Sequence, residues 1–192
     1  MAGSHKVFIS YHHTEDQRYA NALKAFWEPA NTLIDRSLPE EIDSDNDDYI
    51  LSQIRTKHLK DSTVTIVLIG QHTWSRKWVD WEIYSSLRPY GNRTVNGILG
   101  IVLPTGEHWP ARILDNYAEA DKFGRRTQTG YAKVVRWSAV APPTALERVL
   151  NSKIYDERKR MLSNWIQYAF DNRLKKELID NTRPRMKRNR SV

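Results

Sequence analysis

The chain has 192 residues with 40% hydrophobic and 10% aromatic content, enough for one core of ordinary size, and a formal net charge of +7. The absence of cysteine excludes a disulfide scaffold, a thiolate nucleophile and any zinc site that needs a Cys ligand, and it suits a reducing compartment. Apolar runs are short, as in Ile66-Val67-Leu68-Ile69, so no membrane partner or span is expected and a soluble, cytoplasmic protein is the default.

Residues 1–5, MAGSH, read as an expression remnant or a disordered start. Lys6 to Tyr11 is a short β-rich run, and Asp16 to Ala30 follows with Tyr19, Leu23, Phe26 and Trp27 at helical spacing. A weaker strand, Thr32 to Asp35, leads into an acidic loop, Pro39 to Asp48. Ile50, Leu51, Ile54 and Leu59 then mark a second helix, with Asp47 and Asp48 in its first turn and Lys57, His58 and Lys60 in its last, matching the helix dipole. Thr63 to Gly70 is the clearest strand, apolar on both faces at its end, as a central parallel strand covered by helices should be.

A helix is predicted from about Thr73 to Leu87, stopped by Pro89 and Gly91, and a continuous strand follows from Gly97 to Leu103. Residues 105–130 lack a sustained period apart from room for a short helix. Tyr131 to Trp137 reads as the last strand. Ala145 to Phe170 reads as one long helix, with Leu146, Val149, Leu150, Ile154, Met161, Leu162, Trp165 and Ala169 on its apolar stripe. Strands alternating with helices define an α/β fold with a central parallel sheet covered on both faces, its ligand site beyond the carboxyl ends of the strands.

The positive charge is concentrated at one end. Residues 173–192 hold eight basic side chains against two acidic ones, so the body, 6–170, is nearly neutral. The tail, 171–192, carries Pro184 and no apolar period; it reads as disordered and solvated, with phosphate or membrane-surface binding as the other option and nucleic acid not expected as a partner. Glycosylation patterns at Asn92-Arg93-Thr94 and Asn189-Arg190-Ser191 would matter only in a secreted protein.

Several familiar chemistries are absent. The run Asp43 to Asp48 begins like a calcium loop, but Asp48 stands where that loop needs glycine and Ile54 where it needs a bidentate glutamate, so it reads as helix-capping carboxylates. Neither GxGxxG nor GxxxxGK[ST] occurs, and the histidines lack metal-ligand spacing. The central strand ends in Gly70-Gln71-His72, without the acceptor aspartate of a receiver domain.

The stretch WVDWEI, 78–83, places a carboxylate among large apolar residues. At about 100° per residue, Glu82 lies roughly 40° from Trp78 and 60° from Val79 on the helix surface. Two readings stand open: Glu82 reaches over the tryptophan to water, or it is desolvated and handles charge on a ligand.

Val7 to His12, the strand Thr65 to Gly70 and the following Trp74 to Ile83 together resemble the TIR domain, and more closely the TIR-like branch that includes the sensor protein of Thoeris antiphage systems. Asp35-Arg36-Ser37-Leu38, followed by Glu40 and Glu41, is similar to the D-x-S loop of that branch. The resemblance covers roughly residues 6–140. It implies a flavodoxin-like three-layer sandwich and, in enzymatic members, cleavage of the nicotinamide–ribose bond of NAD, which is the substrate, with no cofactor. Glu82, four residues after Trp78, then corresponds to the catalytic glutamate. Ser10, Tyr11 and His12 fall on the loop that contacts adenine and phosphates. Asp35 and Ser37 either line the cleft or cap a turn before Pro39, and Trp78 either stacks on nicotinamide or fills the core. The same resemblance implies self-association or activation by a phage component, and an effector reached through a diffusible nucleotide. The other reading is a non-catalytic module that assembles with further TIR domains.

Overall fold

The computed structural model describes residues 5–27, 33–34, 44–117 and 130–191. Its centre is a five-stranded, all-parallel sheet in the order β2-β1-β3-β4-β5. The strands are β1 (Val7–Ser10), β2 (Leu33–Ile34), β3 (Val64–Ile69), β4 (Gly97–Val102) and β5 (Lys133–Arg136). Every residue of β1, β3 and β4 is buried, which is why these segments read as continuous apolar runs rather than alternating ones. Register is fixed by pairs such as Phe8 with Thr65 and Ile66 with Leu99.

Helices cover both faces. α1 (His13–Trp27), α5 (Trp137–Val140) and α7 (Ile154–Asn172) pack on the face presented by Val7, Ile9, Ile66, Leu68 and Leu99. α2 (Asp47–Gln53), α3 (Lys77–Ser86) and α4 (Ala111–Tyr117) cover the opposite face, where Phe8, Val67, Ile69 and Ile98 lie. The result is the flavodoxin-like three-layer sandwich. The chain leaves β1 toward β2 in one direction and passes back to β3 in the other, so the topological switch point lies between β1 and β3, where open α/β sheets bind ligands.

The long helix expected over 145–170 is two helices. α6 (Ala145–Leu150) opens with a capping box between Thr144 and Glu147 and ends at Asn151, whose backbone is extended. Asn151 then accepts from Lys153 N–H through its side chain, so one asparagine stops α6 and starts the turn into α7. Leu146, Val149 and Leu150, expected in the core, are 67%, 82% and 77% exposed. Met161 is exposed too, and the buried stripe belongs to α7 alone, through Leu162, Ile166 and Ala169. The predicted first helix starts earlier, at His13, and the third is divided into a 3-10 turn (Thr73–Ser75) and α3 by the extended backbone of Arg76. Asn46, rather than the carboxylates, caps α2, accepting from Asp48 and Tyr49 N–H.

The basic tail, expected to be disordered, is a strap docked along α3 and α4. Residues 171–172 still belong to α7. Arg112 of α4 donates to the carbonyls of Arg183 and Pro184, Met186 N–H donates to Asp80, and Met186 O accepts from Trp81 Nε1 at 2.7 Å. Further on, Asn189 accepts from Lys77 N–H and Arg190 N–H donates to Ser75 O. An extended segment anchored through its backbone needs no apolar period, which is why periodicity did not reveal it.

Candidate functional site

Alternation along β1 decides which residues of its carboxyl end share a face. Ser10 lies on the side of Phe8, against α2 and α3; Tyr11 lies with Val7 and Ile9 on the α1 side. The Ser10 hydroxyl donates to Glu82 Oε2 at 2.5 Å. Tyr11 is buried against the other layer, donating its phenolic O–H to Gln17 and stacking on His13.

Glu82 is 7% exposed, which decides between the two readings of its environment: the carboxylate is desolvated beneath the helix layer. α3 is held in this rotation from two sides. Ser86, one turn beyond Glu82, is hydrogen-bonded to Thr65 of β3 at 2.7 Å, and Asn96 donates to Thr65 as well. On the outer side Asp80 receives both Nε and Nη2 of buried Arg112. Trp78, one turn before Glu82, packs half-buried against the cluster formed by Phe8, Ile50, Ile54 and Trp81.

A further residue joins them without any signal in the sequence. The turn Ile54–His58 is a π-helix, closed by Leu59 N–H on Ile54 O, and it brings His58 inside, with Nδ1 3.7 Å from Glu82 Oε1. Its position near a helix end suggested only a favourable dipole interaction. Among the described residues, neither ring nitrogen of His58 has a hydrogen-bond partner, nor do Trp78 Nε1 and Ser85 Oγ. An unsatisfied buried polar atom costs about 1–3 kcal/mol, so these four atoms are the groups here that water or a polar ligand would satisfy.

A second titratable group lies at the switch point. Asp16 of α1 is buried, and burial pushes its carboxyl up to about 6, although Thr73 Oγ1 donates to it at 3.2 Å. Gly70 makes this possible, because a side chain there would collide with the Asp16 carboxylate. Nearby, Glu15 meets His72 Nδ1 at 2.7 Å and His12 Nδ1 at 3.3 Å. Burial pulls Glu15 upward, but hydrogen bonds from His72 and then His12 hold it below its ordinary value. His12 is held low by burial and then by the charge of Arg76. Asp35 and Ser37 lie outside the described residues.

Among the candidates, Ser10 and Glu82 are in direct contact, with Trp78 on the same face of α3; Tyr11 is on the other side of the sheet, and His12 is held in the Glu15 cluster. This defines an α/β domain of the flavodoxin-like class with a buried carboxylate beside its switch point. The family model for the TIR-like domain of the Thoeris protein ThsB matches residues 8–108, just over half of the chain, and the chain belongs to that family. It is similar to a Bacillus cereus (strain MSX-D12) protein named "Putative cyclic ADP-D-ribose synthase ThsB1", with 32% identity over 97 residues. That match covers 47% of this chain and 49% of the relative, so about half the length of each is compared.

Proposed function

We propose that the chain is an NAD-processing enzyme that breaks the nicotinamide–ribose bond and turns the ADP-ribosyl group into a cyclic ADP-ribose-type or ADP-ribose-conjugate signal in antiphage defence. The observation that carries this reading is the buried Glu82, fixed on α3 four residues after Trp78 and oriented by the Ser10 hydroxyl. Membership of the ThsB family and the printed name of the Bacillus cereus relative support it.

Cleavage breaks the bond between ribose C1′ and the pyridinium nitrogen. The electron pair leaves with nicotinamide, which becomes neutral, and the ribose becomes an oxocarbenium cation. A fixed carboxylate in a desolvated site stabilises that cation more strongly than it stabilises the substrate's ground state. Ser10 holds one oxygen of Glu82 in place, so the carboxylate needs no reorganisation as charge develops. Trp78 presents an aromatic surface for nicotinamide, His12 on the loop after β1 meets phosphate, Tyr11 braces that loop from the α1 side, and the family resemblance assigns Asp35 and Ser37 to the substrate-binding set. Attack by a hydroxyl or ring nitrogen of the same nucleotide gives a cyclic product; an external acceptor gives a conjugate, and water gives ADP-ribose. The product diffuses through the cytoplasm to a separate effector, with self-association or a phage component as the trigger.

The test is mass spectrometry of NAD incubated with the wild type and with Glu82→Gln, at high protein concentration and in lysate from infected cells. Nicotinamide and a new nucleotide are expected from the wild type, and a rate lower by about 100-fold or more from a folded Glu82→Gln. No turnover by the wild type in either condition would favour the assembly module.

A further inference from the structure

The basic strap plays no part in the reaction described above, yet it forms one wall of a cleft on the face of α3 away from Glu82. This cleft consists of two adjoining hollows that share Trp74, Ala111 and Arg190 in their walls. The first, of about 560 Å³, is lined by aromatic rings, among them Trp74, His108 and Trp109. Trp74 and His108 meet edge to face at 6.0 Å, and Trp109 is braced by Tyr117. The second half, of about 160 Å³, is bordered by four arginines: Arg76 before α3, and Arg183, Arg185 and Arg190 on the strap.

Charge in the second half is unbalanced. Its carboxylate, Asp80, is already matched by Arg112 and Met186 N–H. Arg183 is engaged with Asp115, while Arg185 lies over the rings of Trp81 and Tyr84 and comes no nearer than 3.7 Å to a carboxylate among the described residues, that of the exposed Asp47. Arg76 Nε and Arg185 Nη1 are buried without a hydrogen-bond partner among the described residues. Arg190 lies over the Trp74 ring, 6.0 Å from its centre, where the two halves meet, and Glu107 is the acidic side chain bordering the aromatic half. A planar aromatic group would be recognised by stacking, and phosphate by guanidinium forks, so the two halves match the two ends of one ligand class.

We propose that this cleft is a second binding site, for a nucleotide whose base enters the aromatic half between Trp74 and Trp109 and whose phosphates reach the arginine half. Its ligand contacts the strap and the first turn of α3, and not Glu82. The basic tail is therefore a phosphate-binding element built into the fold. The inference holds whether or not NAD is turned over.

The test uses the full chain and ADP as the probe, followed by calorimetry and by the indole N–H signals in a proton–nitrogen NMR spectrum. Saturable ADP binding that moves the Trp74 and Trp109 indole signals is expected, with adenosine alone and pyrophosphate alone each binding more weakly. Arg190→Gln and His108→Ala should each weaken ADP by about tenfold, the loss expected for one charged or stacked contact. Both residues sit at the open edge of the cleft, so their melting temperatures should match the wild type. Absence of saturable binding at millimolar ADP would overturn the proposal, as would unchanged affinity in both folded variants. Signal changes at Trp78 without any at Trp74 and Trp109 would assign ADP to the surroundings of Glu82 and overturn it as well.

Discussion

Asp16 and Glu82 are both buried carboxylates, and their neighbours give them different work. Glu82 accepts from Ser10 and faces His58; Asp16 is tied to Thr73 and packed on Gly70. Burial raises Asp16 from 3.8 in the open chain to about 6 in the fold. The folded state therefore binds this proton more tightly than the unfolded one. Its stabilising contribution is complete below pH 3.8 and is lost as pH rises through about 6. Asp16→Asn keeps the shape and removes the proton. The stability difference between wild type and variant, from urea unfolding at pH 4 and pH 7, should therefore shift against the wild type by about 2–3 kcal/mol at the higher pH. A constant difference would mean that Asp16 is ionised in water-like surroundings. At this scale the sequence was informative where one spacing placed several groups on a helix face, as for Trp78 and Glu82. It did not show that the strand position of Tyr11 sends it to the other layer, nor that His58 is brought inward by a π turn no spacing announces.

Strands and helices differ in how far their own residues determine them. β3 and β4 are buried on both faces, so their apolar runs alone defined them, and the acidic first turn of Asp47 and Asp48 located the start of α2, although its cap is Asn46. The break between α6 and α7 depends instead on Asn151, a residue compatible with a helix interior until its extended backbone and its bond to Lys153 N–H are seen. The contact of α7 with β4 depends on a missing side chain. A Cβ at Gly97 would strike the carbonyl of Ala169, so this helix rests directly on the strand's backbone. Gly97→Ala must lift α7 or bend β4, and thermal unfolding should show a loss of about 1–3 kcal/mol or more, as overpacking does. A neutral result would require that α7 moves away from Gly97 without loosening Leu162, Ile166 and Ala169 from the core.

Across the whole molecule, the strap makes residues more than a hundred positions apart in sequence into one unit. It satisfies Trp81 Nε1 and Arg112 Nη1, places Arg185 over the rings of Trp81 and Tyr84, and fixes the start of α3 through Lys77 and Ser75. Composition suggested a solvated tail because charge and proline dominate it, while its partners lie on α3 and α4 and could not be read from the tail itself. Ending the chain after Lys175 should therefore destabilise the remaining domain by about 2–4 kcal/mol, seen in calorimetry as a fall of roughly 5–15 °C in melting temperature. Salt separates the two ways the strap could be held. Exposed charge pairs are screened within about 3 Å at 1 M salt, whereas buried backbone hydrogen bonds are not. Because the strap is anchored mostly through its own backbone groups, held by the side chains of Asp80, Trp81 and Arg112 and by the carbonyl of Ser75, the full chain in 1 M salt should still melt well above the truncated one. If the full chain in 1 M salt melts with the truncated form, charge attraction holds the strap and those hydrogen bonds contribute little. If truncation leaves the melting temperature unchanged in dilute buffer, the strap rests on α3 without stabilising it.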